Sequence, residues 1–359
     1  MSERLNPDEL RARFEQRVIP DYIEPQRGGA RGSASSPPRF VSVGGQPGAG
    51  KGGVLADMRR QMPGAVVVNG DELRQFHPAY ERLMREDPLR MPEVTGHASG
   101  PWVGMSNEYL RGQGSSAIVE TTLRDAAMLR SEFEAFKAAG YETELRVVAV
   151  PLEVSRAGTV SRYVEQVKDF GAGRWTPSTA HDEAAANVRE TVRELAASGA
   201  VDRVVVQNRD GRVFYDAPVT VAGVECATAA VEAVDEARDV RNLSPVQAQS
   251  WIATTTAALH ERYRLGNDPT LSENARRGHN DVDLVKTSKR LATMDAEAVV
   301  PQAFPGDKAA QNKALADLSE AAKVTLSDRL DIRADALRAA RFPDGDGDVT
   351  RTLGRGKGR

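Results

Sequence analysis

The chain has 359 residues, 40% of them hydrophobic, and a formal net charge of -3. That is enough apolar material for a sizeable core in two domains or one enlarged domain, with no basic excess to suggest nucleic acid and no apolar run near the roughly 18 residues of a membrane span. Cys226 is the sole cysteine, which excludes an intrachain disulfide, and the five histidines, at 77, 97, 181, 260 and 279, are too dispersed for a zinc site.

The opening "MSERLNPDELRARFEQRVIP" is charged throughout and lacks the apolar centre of a signal peptide, so a cytoplasmic location is expected. Leu5 to Ile23 carries Leu10, Phe14 and Val18 at helical spacing behind an Asn-Pro-Asp start signal, which predicts an amphipathic helix within a segment 1–25. "QRGGARGSASSPPR", residues 26–39, is rich in Gly, Ser and Pro and predicts a flexible linker. From Phe40 onward short apolar runs alternate with helical patterns. Strands are expected at "RFVSV", "GAVVVNG", "SSAIVE", "ETELRVVAV" and "VDRVVVQN", with "RVFYDA" as a candidate edge strand. Helices are expected at Val54 to Gln61, around Pro101 to Gly112, and at Asp125 to Ala139, Leu152 to Val167 and His181 to Ser198. Such alternation predicts an α/β domain over 40–229, a P-loop NTPase-type parallel sheet flanked by helices. Near Ala230 the strand pattern stops and 230–342 reads as additional helices, with Trp251, Ile252, Leu259 and Tyr263 forming a core stripe. The tail 343–359 contains "DGDGD", but Val349 and Arg355 stand where a calcium loop needs glycine and glutamate, so disorder is expected.

Three strand ends carry the chemistry. Gly45, Gln46, Pro47, Gly48, Ala49, Gly50 and Lys51 follow an apolar strand and precede a helix. Glycines permit backbone N-H groups to turn inward around phosphate oxygens, and the lysine sets a cation against the outer phosphates, so this loop is expected to bind a nucleotide. Gly52 occupies the position where such loops usually offer a Mg²⁺-ligating hydroxyl, and a water is expected to substitute for it. Asp71 follows the second strand and suits a general base for a hydroxyl attacking the γ-phosphate, or alternatively a helix N-cap. Glu120 ends the third strand and is expected to hold Mg²⁺ directly or through its waters, with Thr121, Thr122 and Arg124 available for ligand and phosphate. Arg162 on a helix and Arg174 in the following loop suit charge neutralisation from a mobile lid, although a solvated helix face equally explains Arg162.

In order, "GGQPGAGK", "NGDELRQFHPAY", "VETTLR", "YETELRVVAVP", "GTVSRY", "RWTPSTAHD" and "VQNRDGRVFYD" resemble the zeta toxin family of toxin–antitoxin systems, over roughly Leu5 to Ala217. The resemblance implies an ATP-dependent kinase that phosphorylates the 3'-hydroxyl on the amino sugar of UDP-N-acetylglucosamine. It implies Lys51 as the phosphate-binding lysine, Asp71 as base, Glu120 as the acid near the metal, Thr122 and Arg124 at the sugar-nucleotide and phosphate site, and Arg162 and Arg174 on the transferring phosphoryl group. An antitoxin protein is the implied partner, and the helical region after 230 is a candidate surface for it. Two positions depart from the family pattern. One is Gly52. The other is a substrate-contacting glutamate, whose ungapped counterpart is Gly104, with Glu108 fitting only on a shifted alignment. Two further readings follow from these departures: a nucleotide-binding interaction protein whose catalysis has decayed, and a kinase for another small hydroxyl compound. Lys51, Asp71, Glu120, Arg162 and Arg174 together favour the enzyme, because a binding shell has no need of a base.

Overall fold

A computed structural model describes residues 3–27, 37–171, 173–219, 223–271 and 273–341. The predicted tail 343–359 and most of the predicted linker, 28–36, lie outside the described residues.

The strands alternate two buried faces, as parallel strands covered on both sides must. They are β1 (Arg39–Gly44), β2 (Val66–Val68), β3 (Ala117–Thr121), β4 (Glu142–Val148), β5 (Arg203–Gln207) and β6 (Val213–Pro218), in the order β2-β3-β1-β4-β5-β6. Phe40, Val66, Val119, Leu145 and Val204 enter one core; Val41, Val43, Val67 and Ile118 enter the other. β1 pairs in parallel with β3, Phe40 opposite Ala117, and with β4, Phe40 opposite Thr143. β6 alone runs antiparallel. Its connection from β5 is a turn in which Asn208 Oδ1 accepts from the backbone of Asp210 and Arg212, too short for the crossover that a parallel neighbour requires.

On the first face lie α6 (Met91–Gly112), α7 (Ala126–Ala138), α9 (Ser178–Ser198) and α10 (Gly223–Arg238). The N-terminal helical rod joins them: α1 (Pro7–Arg13), a π-helical stretch Phe14–Ile23 that contains Pro20, and α2 (Glu24–Arg27). Leu10, Phe14, Val18 and Ile23 are buried there, and the Trp102 indole N-H donates to the Leu10 carbonyl at 3.0 Å. On the second face lie α3 (Lys51–Gln61), α8 (Leu152–Phe170) and the C-terminal helices α11 (Pro245–Gly266), α13 (Val282–Arg290), α14 (Ala296–Ala303) and α15 (Lys308–Ala322), with α12 (Glu273–His279) packed on α11 and α16 (Leu326–Arg341) on α13. No helix among the described residues is long and apolar enough to cross a membrane.

Three expectations change. The linker does not begin at Gln26: its side-chain amide bonds both to the Val67 N-H and to the Val67 carbonyl, at 3.1 Å each, and so occupies the open edge of β2. The boundary placed at 229 and 230 falls inside α10, whose Ala227, Ala230 and Val234 belong to the core of the α/β domain. In the predicted stripe Trp251 and Leu259 are buried and Ile252 partly so, but Tyr263 is exposed, with the Lys323 ammonium 5.7 Å from its ring centre.

Candidate active site

The phosphate loop leaves β1 at Gly44 and turns into α3 at Lys51. Gly48, at φ 76°, lies so close to α8 that a Cβ would overlap the Ser155 carbonyl, and the facing Gly158 meets Gly48 in the same way. Glycine is needed on both sides of that contact. Gly50, at φ 90°, is the helix N-cap. Lys51 is buried and its ammonium donates to the Gly45 carbonyl at 2.8 Å and the Gln46 carbonyl at 3.3 Å, with Glu120 Oε1 at 3.6 Å. Burial lowers its pKa and the Glu120 carboxylate opposes that shift.

Behind the loop the supports come from distant segments. The buried Gln46 amide donates to the Val150 carbonyl at 3.0 Å and its oxygen accepts from Arg238 Nη2 at 2.8 Å. Arg209 Nη2 donates to the Gly48 carbonyl at 2.7 Å. Ser155 Oγ, His181 and Asp182 form a chain of two 2.8 Å contacts that imitates a nucleophilic triad, but Ser155 is fully buried beneath the loop and no substrate reaches it.

The acidic residues are set by one side chain that sequence reasoning missed. Asn69, at the end of β2, caps α4 (Gly70–Leu73): its Oδ1 accepts from the Asp71 N-H at 2.8 Å. Its Nδ2 donates to Glu120 Oε2 at 2.7 Å, and its own N-H donates to the Tyr22 hydroxyl at 3.0 Å. The cap is therefore Asn69 and not Asp71, whose carboxylate is left facing a cavity of about 870 Å³. There it pairs with Arg174 Nη1 and, at 3.3 Å, with Arg74 Nε. Burial raises its pKa, but Arg174, Arg74 and Arg162 outweigh that and hold the carboxyl well below the usual range.

The cavity brings together Gly52, Asp71, Glu120, Arg162 and Arg174, with an apolar lining from Tyr80, Met84, Met91 and Phe170. Arg162 Nη2 donates to Thr176 Oγ1 at 2.5 Å, and burial lowers the guanidinium pKa, aided by Arg174. A side chain at Gly52 would meet nothing within 4 Å. Thr122 and Arg124 are not among the residues that line this cavity; Leu123 between them has φ 54° and a buried side chain, and Arg124 Nε donates to Thr122 Oγ1 at 3.0 Å. Neither Gly104 nor Glu108 lines it, and its other acids are Glu72 and Glu81. Nor is the arginine-bearing segment a free lid. Asp283 of α13 accepts from the Trp175 indole at 2.9 Å and the Ser178 N-H at 2.8 Å, and Arg156 of α8 pairs with the buried Asp295 at 3.1 Å. The C-terminal helices strap it down.

No group of three or more metal-ligating side chains occurs among the described residues. The donors that do converge, Glu120 beside Asn69 and Asp71, suit Mg²⁺, which takes one or two carboxylates plus phosphate oxygens and water in place of an all-protein cage.

Residues 29–220 match the family model described as Zeta toxin. Toxin zeta of Enterococcus hirae is 30% identical over 210 residues, covering 57% of this chain and 71% of that protein. Toxin PezT of Streptococcus pneumoniae is 29% identical over 189 residues, covering 52% and 75%. Among solved structures, a chain from the PezAT chromosomal toxin–antitoxin system of Streptococcus pneumoniae superposes with a TM-score of 0.58 at 24% identity, covering 72% of this chain and 99% of that one.

Proposed function

The chain belongs to the zeta toxin family, and from that premise we propose that it is an ATP-dependent kinase that phosphorylates the 3'-hydroxyl on the amino sugar of UDP-N-acetylglucosamine, acting as the toxic half of a pair with an antitoxin protein. One observation carries this reading: the Asp71 carboxylate and the Arg162 and Arg174 guanidinium groups line one cavity, and the buried Lys51 ammonium lies 3.6 Å from Glu120 in its wall. A nucleotide-binding shell has no use for the Asp71 carboxylate in that position.

In this reading the loop N-H groups and Lys51 hold the ATP phosphates. The acceptor hydroxyl gives its proton to Asp71 as its oxygen bonds to the γ-phosphorus, the bond to the β,γ-bridging oxygen breaks, and ADP leaves. Arg162 and Arg174 neutralise the charge on the transferring group. Glu120, with Asn69 fixing its orientation, would hold Mg²⁺ through one oxygen or through water. When bound, such an ion would supply neutralisation of phosphate charge. Gly52 offers no hydroxyl, so a water would have to take the place of that ligand. The apolar lining and the balance of acids and arginines suit a sugar nucleotide, whose base, hydroxyls and diphosphate call on each in turn.

Incubation with γ-labelled ATP, Mg²⁺ and a panel of UDP-sugars tests this. Label should pass to UDP-N-acetylglucosamine and fall by about 10²-fold or more with Asp71→Asn. Transfer that survives the loss of the carboxylate refutes Asp71 as base, and label on a different acceptor corrects the substrate.

A further inference from the structure

Each of the two arginines that face the cavity is followed in the chain by a buried aromatic residue, Arg162 by Tyr163 and Arg174 by Trp175. The two rings meet edge-on with centroids 6.2 Å apart, so the helix that carries one arginine and the segment that carries the other are joined through their neighbours. The corner between α12 and α13 is seated on this pair. Its fully buried His279 ring stands edge-on to Tyr163 at 5.4 Å, and Gly278 lies so near the Tyr163 hydroxyl that a Cβ there would come within 2.7 Å of it.

Asp283, in the first turn of α13, completes the grip. Its Oδ2 accepts from the Trp175 indole at 2.9 Å and from the Ser178 N-H at 2.8 Å, and its Oδ1 accepts from the Ser178 hydroxyl. One carboxylate thus spans both ends of the segment 175–178. Asp283 is itself fixed, since Asp281 caps α13 by accepting from the backbone N-H groups of Asp283 at 3.0 Å and Leu284 at 3.1 Å, and the Leu284 side chain is buried in the core. Inside the span, Thr176 accepts from Arg162. Immediately before it, Arg174 pairs with Asp71, and its backbone N-H donates to Gln166 Oε1 at 2.9 Å. Asp283 is not among the residues that line the cavity, so it reaches the chemistry through this segment. A guanidinium stabilises developing charge best when it is already in place as the charge forms, and an irregular stretch of backbone holds such a group only if something else orders it.

We propose that Asp283 is a positioning residue for phosphoryl transfer: by holding Trp175 and Ser178 it sets Arg174, and through Thr176 also Arg162, against the cavity before the nucleotide arrives. The family match ends at residue 220, so this part of the apparatus is supplied by the C-terminal helical region. The hydrogen-bond geometry does the positioning and not the charge, because an amide of the same shape can accept both N-H groups through its oxygen and donate to the Ser178 hydroxyl through its nitrogen. The proposal rests on the reading of the chain as a phosphotransferase, but one arm of its test needs no turnover.

Two measurements on the full chain decide it. Asp283→Ala should lower kcat at least about ten-fold while the KM for ATP stays within about two-fold, and Asp283→Asn should return kcat to within about two-fold of the unmodified protein. Phenylglyoxal, an arginine reagent, applied without nucleotide and followed at Arg174 by peptide mass spectrometry, should react about three-fold faster or more in Asp283→Ala and at the unmodified rate in Asp283→Asn. If Asp283→Ala does not fold, Ser178→Ala, which removes one hydroxyl, should show both changes at about two- to three-fold. Unchanged Arg174 reactivity in the alanine variant, a rise in KM with kcat unaltered, or an asparagine variant as impaired as the alanine one overturns the proposal. Absence of transfer to any acceptor by the unmodified chain refutes the phosphotransferase reading itself, and the phenylglyoxal rates then still decide whether Asp283 holds Arg174.

Discussion

Tyr22→Phe isolates the contribution of the N-terminal helical rod to the active site, because it removes one oxygen and little else. The hydroxyl accepts from the Asn69 N-H at 3.0 Å and donates to Glu72 Oε2 at 2.9 Å, while the ring packs edge-on to Phe76 with centroids 6.1 Å apart. Phenylalanine keeps the ring contact. The Asn69 N-H loses its acceptor in a site where Tyr22 is only 9% exposed, a cost of about 1–3 kcal/mol. The bond to Glu72 contributes less, since that exposed carboxylate recovers water. A destabilisation of about 2 kcal/mol is expected, read as a lower urea midpoint at unchanged slope. Asn69 positions both Asp71 and Glu120, so loosening it should also lower kcat by about ten-fold, with a smaller change in the KM for ATP. If the midpoint and kcat both match the unmodified protein, the argument that this hydroxyl fixes the β2 turn is refuted.

Two further substitutions probe the metal site and the strap. Gly52→Ser places a side chain where nothing lies within 4 Å, so the fold should be retained, and removing a glycine from the first turn of α3 should add about 0.5 kcal/mol. The Mg²⁺ concentration for half-maximal rate should fall several-fold; an unchanged dependence removes the case that the missing hydroxyl matters. Arg156→Leu leaves the Asp295 carboxylate, 2% exposed, with only Arg290 at 3.5 Å, and should destabilise the chain by about 3 kcal/mol in denaturant titration. Adding Asp295→Leu should restore most of that, and a double variant as unstable as the single one contradicts a desolvation origin.

The parts of the site legible in the sequence are those encoded within a few consecutive residues. Gly45 to Lys51 announces itself because loop, lysine and helix start are contiguous, and Asp71 and Glu120 because each follows an apolar strand. The groups that hold them are not local. Tyr22 with Asn69, Arg209 with Gly48 and Arg238 with Gln46 lie 47, 161 and 192 positions apart, and no periodicity in one chain pairs them. Thr122 and Arg124 fit the strand-end rule equally well, yet neither is among the residues that line the cavity. The lid expectation failed for a related reason: a loop carrying arginines reads as mobile until α13 supplies the Asp283 carboxylate that fastens Trp175 and Ser178.

The pairing of Asp71 with Arg174 bears directly on how a carboxylate can serve as base here. With Arg174, Arg74 and Arg162 facing it, Asp71 is held ionised far below the usual carboxylate range, so it is ready to accept a proton but weakly basic. A triphosphate offers Arg162 and Arg174 a second anion. As their charge is shared with phosphate, the Asp71 pKa rises towards that of an ordinary aspartate, about 3.9, and its proton affinity increases when the acceptor needs it. The two pH profiles separate these states, since kcat/KM reports the free enzyme and kcat the complex. The acid limb of kcat should therefore lie at higher pH than the acid limb of kcat/KM. Arg174→Gln should move the kcat/KM limb up towards the kcat limb, because the free enzyme then loses the cation that depresses Asp71. Coincident limbs in the unmodified protein, or limbs that Arg174→Gln leaves in place, contradict a base whose strength is set by an arginine it shares with the donor.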